Sequence, residues 1–110
     1  MTTVTIAPLA EGYLFECSGH AGYGEEGHDL VCAGASVLCM ALEAMAEGLT
    51  DEGRARVERK YASDGFFSLE ILPAPDDAFA AERLRAVMDT VAAGFAAIEE
   101  GYPEFLKVEG

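Results

Sequence analysis

Basic side chains are scarce in this 110-residue chain. Seven lysines and arginines stand against 20 aspartates and glutamates, and the formal net charge is −13. A surface this acidic repels phosphate, so we do not expect the chain to bind nucleic acid directly. Such a surface suits a basic partner, for example a cationic peptide, although it also serves solubility alone.

Cysteine is scarce as well, and the spacing of the cysteines does not suggest a disulfide framework. The chain has three cysteines, Cys17, Cys32 and Cys39, and no Cys-x-x-Cys pair. An odd number without a secretion signal favours thiols over a disulfide framework. The missing Cys-x-x-Cys pair gives a structural zinc site little support. We expect Cys39 to be a buried, unreactive thiol in an apolar helix.

The sequence also lacks a targeting signal and a long apolar run. The start, MTTVTIAPLAEG, has neither a basic region nor a long apolar region, so it does not look like a signal peptide. The longest apolar run, residues 30–42, is too short to span a bilayer. We therefore expect a cytoplasmic protein that does not bind membranes. No linker or repeat divides the chain, which predicts a single domain over residues 1–110.

Alternating polar and apolar residues predict two β-hairpins. Tyr13, Phe15 and Cys17 fall on one face of the second strand, and Asp64-Gly65 is a turn signal between the third and fourth. The predicted strands are residues 3–7, 12–17, 54–61 and 66–72.

Apolar residues at helical spacing predict two helices. Residues 30–49 are rich in alanine, leucine and methionine, and Gly48 suits the position just after the end of a helix of about 18 residues. The second helix follows a proline-rich break, with Asp76 or Asp77 as its N-cap, and ends near Gly101.

The element order is therefore β-β-α-β-β-α, and FLKVE can add a last short strand. Hairpins separated by helices predict an α+β fold, a two-layer sandwich with a mainly antiparallel sheet and two helices. The first helix is apolar almost all round, and such a helix packs on more than one side. Because a small domain has few ways to cover both sides, we predict a homodimer contact near this helix.

One segment, GHAGYGEEGHDLVCAGAS at residues 19–36, gathers the residues suited to chemistry. Asp29 is a good N-cap, which would place Cys32 in the first helical turn. Unpaired N–H groups and the helix dipole favour a thiolate there and could stabilise an oxyanion. Ser36, four residues on, can face the same side. The alternative is that Cys32 is buried and inert.

A histidine beside Cys32 would complete a nucleophile and a general base, the minimum for acyl transfer. His20 follows the second strand and His28 precedes the helix, and spacing does not choose between them. A zinc site could use both histidines with Cys32 and Asp29, but this spacing fits no common zinc motif. A non-catalytic, acidic, dimeric interaction module is a further alternative.

Three glycines separate the two histidines. Gly22, Gly24 and Gly27 permit positive φ and large rearrangements. With Tyr23 at its tip, this loop could close over a bound peptide and exclude water. An ordinary turn is the other interpretation.

The motif GHA followed by GHDLVCAGAS resembles the signature of the ribosomal-processing cysteine protease family, Prp. The element order and the ending IEEGYPEFLKV also look like that family, so the resemblance covers essentially the whole chain. It implies a cytoplasmic, usually homodimeric cysteine endopeptidase without a cofactor. Its expected peptide substrate is the N-terminal extension of large ribosomal subunit protein twenty-seven, which it removes.

The resemblance also implies a role for each site residue. It places the family's histidine on His20 and its nucleophile on Cys32, whereas His28 occupies a variable position. The motif aspartate and serine fall on Asp29 and Ser36, which we expect to support the site by ordering the helix start and by hydrogen bonding near the sulfur. The glycine-containing loop becomes a substrate-gating loop.

Overall fold

The computed structural model describes residues 1–19, 28–63 and 65–109, without the side chains of His28 and Asp29. Its element order is the predicted β-β-α-β-β-α followed by a last strand, so the α+β prediction is confirmed. The elements are β1 (Thr2–Pro8), β2 (Tyr13–Ser18), α1 (His28–Asp51), β3 (Ala55–Ser63), β4 (Phe66–Pro73), α2 (Ala78–Gly101) and β5 (Leu106–Glu109).

The strands form one sheet in the order β3-β4-β2-β1-β5. β1 pairs with β2, β2 with β4 and β3 with β4, all antiparallel, which confirms both predicted hairpins. Only the β1–β5 pair is parallel. This follows from the connection, because α2 carries the chain back along the sheet after β4 and lets β5 run in the same direction as β4.

One face of the sheet is apolar and packs against both helices. Strand alternation turns Val4, Phe15 and Leu69 to this face, where each is fully or almost fully buried. The rings of Phe15 and Phe95 lie 5.7 Å apart and join β2 to α2. The helices add further buried side chains, among them Val31, Leu42, Leu49, Leu84, Met88 and Val91.

α1 extends further at its C-terminal end than the sequence predicted, with 24 residues in all. Gly48 lies inside the helix, so its assignment to the position after the helix end is wrong. The helix continues because Leu49 is 2% exposed against the core and the Thr50 hydroxyl donates to the Ala46 carbonyl at 2.9 Å. Gly53, with φ 71°, takes the left-handed position instead.

α1 also begins earlier than predicted. His28 is already helical, so Asp29 is the second residue of the helix and not its N-cap. Cys32 is then the fifth residue, and its N–H belongs to the regular hydrogen-bond ladder of the helix. The first-turn N–H groups that have no acceptor within the helix belong to residues 28–30. Capping preference alone missed the boundary, as it often does by one or two residues.

One side of α1 is left open by the fold. Leu30, Val37 and Met40 are 65%, 62% and 65% exposed. By length and composition alone, Leu30–Asp51 could cross a membrane. The expectation that the apolar run is too short to span a bilayer rested on residues 30–42 and does not hold for the whole helix. In this fold the opposite side of the helix instead packs on the sheet and α2.

Candidate active site

A cleft of about 470 Å³ opens between α1 and one end of the sheet. At this end β1 begins, β2 and β3 finish, and β4 begins. The volume lies in the range of small-ligand and peptide-side-chain pockets. The lining residues are Thr2, Cys17, Gly19, Cys32, Ala35, Ser36, Cys39, Met40, Ser63, Gly65, Phe66 and Phe67.

α1 presents Cys32 and Ser36 to the cleft, on the same side of the helix. Ser36 is exposed and Cys32 is half-buried, so the thiol is not sealed inside the core. Side chains on a helix lean toward its N-terminus, which directs Cys32 over the first turn. This direction leads toward the N–H groups of residues 28–30, which have no acceptor within the helix itself.

The sheet supplies an aromatic and apolar wall opposite α1. Phe67 is paired with Cys17 in the register and packs its ring 5.9 Å from that of Phe15. Phe66 also borders the cleft, but its ring lies 5.6 Å from that of Tyr61 on the face of the sheet away from the helices. An apolar group of a ligand would bury area against this wall.

Cys17 and Cys39 line the cleft from opposite sides, an arrangement that the sequence analysis missed. Cys17 lies on β2, Cys39 lies on α1, and both pack against the hydrophobic core. Hydrogen bonding to Cys39 lowers the pKa of Cys17, while the same interaction and burial raise the pKa of Cys39 above its usual range, with smaller contributions from the charges of Cys17 and Glu43. Cys39 is half-buried and lines the cleft, so it is less buried than expected, whereas its raised pKa disfavours the reactive thiolate, as expected of an unreactive thiol.

Gly19 fixes the chain where it leaves β2. Its φ is 96°, and a Cβ at this position would lie 2.3 Å from the carbonyl oxygen of Met1. Its N–H donates to the carbonyl of Gly65 at 2.8 Å. Since His20 is the next residue, these constraints set the point from which the histidine's backbone departs.

Several predicted site residues lie outside the described residues. They are His20 and the gating-loop residues Gly22, Tyr23, Gly24 and Gly27, together with the side chains of His28 and Asp29. The pairing of Cys32 with a histidine, the closing of the loop and the role of Asp29 therefore stay predictions. Among the side chains that are described, no three of the metal-ligating types are grouped to hold a metal.

Sequence comparisons place this chain among known proteases. The family model described as cysteine protease Prp matches residues 1–107. The ribosomal processing cysteine proteases Prp of two Staphylococcus aureus strains, Mu50 and NCTC 8325, are each 32% identical over 111 residues, covering 98% of this chain and 97% of theirs. These matches favour an enzyme over a non-catalytic interaction module.

Solved structures share the whole fold. The essential ribosomal processing protease Prp from S. aureus, in complex with a substrate peptide, matches with a TM-score of 0.72 and 25% identity over 99% of this chain and 98% of that one. The same protease with a covalently linked product peptide gives 0.68 and 26% with the same coverage. SMU.848 from Streptococcus mutans gives 0.67 and 25%, over 99% and 92%.

The sequence signature and the five-stranded sheet with two helices on one face agree with these matches. The chain belongs to the cysteine protease Prp family.

Proposed function

We propose that this protein removes the N-terminal extension of large ribosomal subunit protein twenty-seven, with Cys32 as the nucleophile and His20 as the general base. The observation that carries the proposal is the position of Cys32, which opens onto a peptide-sized cleft in a chain of the Prp family. The two S. aureus relatives are named ribosomal processing proteases. The net charge of −13 suits a basic substrate such as a ribosomal protein.

The proposed reaction begins at the thiol. His20 takes the proton of Cys32, and the sulfur attacks the carbonyl carbon of the scissile peptide bond. The N–H groups of residues 28–30, toward which the sulfur leans, stabilise the oxyanion. His20 then protonates the leaving amine, which departs and leaves a thioester. Water, deprotonated by His20, hydrolyses this thioester and frees Cys32.

Other residues would support these steps. Asp29 lies in the first turn of α1. Its negative charge there interacts favourably with the positive end of the helix dipole and stabilises the start of the helix. Ser36, exposed in the cleft one turn after Cys32, is placed to hydrogen-bond a peptide group or the sulfur. The loop with Gly22, Tyr23, Gly24 and Gly27 would close over the bound extension. The S. aureus protease with a covalently linked product peptide supports a covalent route.

We further propose a cytoplasmic homodimer that uses the open side of α1. Leu30, Val37 and Met40 leave an apolar stripe exposed on a single copy, and Met40 at the edge of this stripe also borders the cleft. Isolated exposed apolar residues are ordinary, but three large ones along one helix side mark an interaction surface. A second copy of the chain is the occupant we expect, because the helix is apolar on both sides and the fold covers only one.

A cleavage assay tests the proposed function. The extended ribosomal protein from the same organism is incubated with wild type, Cys32→Ala and His20→Ala, and the products are measured by mass spectrometry. We expect one shortened product with wild type and none with either variant, while circular dichroism shows that both remain folded. His28→Ala is the matched control and should cleave normally. Full activity in Cys32→Ala would overturn the proposal.

A further inference from the structure

Two cysteines in the cleft have no part in the proposed reaction. Cys17 lies on β2 and faces the helices, between Val4 and Phe67 in the sheet register. Cys39 lies on α1 and faces the sheet. Both are half-buried, both line the cleft, and both pack against the hydrophobic core.

We propose that Cys17 and Cys39 form a redox-modification site in which a small disulfide, such as oxidised glutathione, links them and stops peptide cleavage. The regulatory part rests on the proposed function of Cys32. The pairing itself rests on geometry alone, since one thiol comes from the sheet, the other from the helix, and both are reached from the same opening.

The reaction is a double thiol–disulfide exchange. Cys17 is the attacking thiol because the hydrogen bond from Cys39 favours its thiolate. It forms a mixed disulfide with one half of oxidised glutathione and releases the other half as a thiolate. Cys39 then attacks the Cys17 sulfur, the second glutathione thiolate leaves, and the two protons end on the two glutathione thiols. Two cysteine thiols are oxidised and one disulfide is reduced.

Cys32 is too far along α1 to take the place of Cys17. Cys32 and Cys39 are seven residues apart on one helix, which corresponds to a rise of about 10 Å. A disulfide needs Cα atoms within about 7 Å and facing Cβ atoms. Cys39 therefore finds its partner across the cleft on β2.

The bond would disturb catalysis because of the elements it joins. A disulfide brings two sulfurs to about 2 Å, much closer than a thiol hydrogen bond, so it draws α1 and β2 together. α1 carries Cys32, and β2 leads through Gly19 directly to His20. A misplacement of about 1 Å between reacting groups can cost about 100-fold in rate. The same movement narrows the cleft that would receive the peptide.

Peptide mapping tests the pairing without involving the nucleophile. Cys32→Ala protein is treated with oxidised glutathione, alkylated and digested without reductant. We expect a Cys17–Cys39 linked peptide, two hydrogens lighter than the sum of the separate peptides. The control, Cys32→Ala with Cys39→Ala, should carry glutathione on Cys17 instead. Absence of the link, or a link to Cys32 in the wild-type protein, would overturn the proposal.

A cleavage assay then tests the consequence. Wild type, Cys17→Ala and Cys39→Ala are each assayed on the extended ribosomal protein when reduced, after oxidised glutathione, and after dithiothreitol. We expect the wild type to lose about 100-fold in rate and to recover with dithiothreitol, and Cys17→Ala to keep its own reduced rate. Cys39→Ala should also lose rate, because glutathione on Cys17 then occupies the cleft. Inactivation of Cys17→Ala equal to that of the wild type would assign the loss to Cys32 and sink the regulatory role. If reduced wild type cleaves nothing, the proposed function fails, while the mapping still decides the pairing.

Discussion

At the scale of single residues, Gly19 is under a strict steric requirement at the cleft. Any Cβ here would approach the Met1 carbonyl oxygen to 2.3 Å, and the positive φ of 96° is itself unfavourable for other residues. The chain end of β2 and the start of β1 are therefore locked together at the residue before His20.

We predict that Gly19→Ala lowers kcat/KM by about 100-fold or more, because the backbone must shift and the histidine moves with it. The measurement is the steady-state rate of cleavage, at a temperature well below the unfolding midpoint. Gly48→Ala is the matched control. A Cβ at Gly48 meets nothing within 4 Å, so alanine should keep the rate and stabilise α1 by up to about 1 kcal/mol. Normal cleavage by Gly19→Ala would refute a positioning role.

The residue scale also shows how far sequence reasoning reached. Placing Cys32 and Ser36 on one helix side needs only the helical period, so it could be done without a structure. The placement of Cys17 and Cys39 in the same cleft could not be predicted in this way. It depends on how far along β2 the helix α1 packs, and local periodicity contains no information about that. A signal existed, since strand alternation turns Cys17 toward the helices and Cys39 lies two turns after Cys32.

At the scale of elements, the start of α2 depends on Asp77. Its carboxylate accepts a hydrogen bond from the N–H of Ala80 at 2.9 Å and pairs with Arg54 at 3.0 Å. The Arg54 guanidinium also lies 4.6 Å from the ring centre of Phe79. Asp77 therefore joins the loop after α1 to the first turn of α2.

We predict that Asp77→Ala lowers the free energy of unfolding by about 1–2 kcal/mol, since it removes the N-cap. Asp77→Asn should cost less, because asparagine caps helices nearly as well and only the charge is lost. Urea unfolding followed by circular dichroism at neutral pH measures both. Equal losses in the two variants would show that the ion pair, and not the cap, stabilises this junction.

The elements themselves were largely predictable, because the strands alternate cleanly and the α2 boundaries carry strong stop and start residues. The ends of α1 were not. Gly48 looked like a stop signal, yet the burial of Leu49 adds more free energy than a glycine in an exposed helix position costs. Asp29 looked like an N-cap, yet the helix begins before it. At the C-terminal end of α1, tertiary packing decided where the helix stops. A local sequence pattern contains no information about that packing.

At the scale of the whole molecule, the fold covers one side of its most apolar helix and leaves the other open. Both helices lie on the same face of the sheet, so no further layer of the described fold covers the outer side of α1. The second copy proposed above would remove Leu30, Val37 and Met40 from water.

We predict that Val37→Glu shifts the protein from dimer to monomer at micromolar concentration, because a dimer would bury the new carboxylate unpaired. Sedimentation velocity measures the change. Val37 does not line the cleft, so the fold around the active site is not altered directly. Ala97→Glu, at an exposed position of α2, is the matched control and should stay dimeric. A monomeric wild type, or a dimeric Val37→Glu, would contradict the proposed interface.

The central claim is that Cys32, and neither of the two other thiols in the same cleft, is the nucleophile. A peptidyl chloromethyl ketone, built from the residues before the mapped cleavage site, tests it directly when the modified protein is analysed by mass spectrometry. We predict one adduct per chain, on Cys32, and none on Cys32→Ala protein although Cys17 and Cys39 are still present. An adduct on Cys17 or Cys39, or equal labelling of Cys32→Ala, would contradict the account.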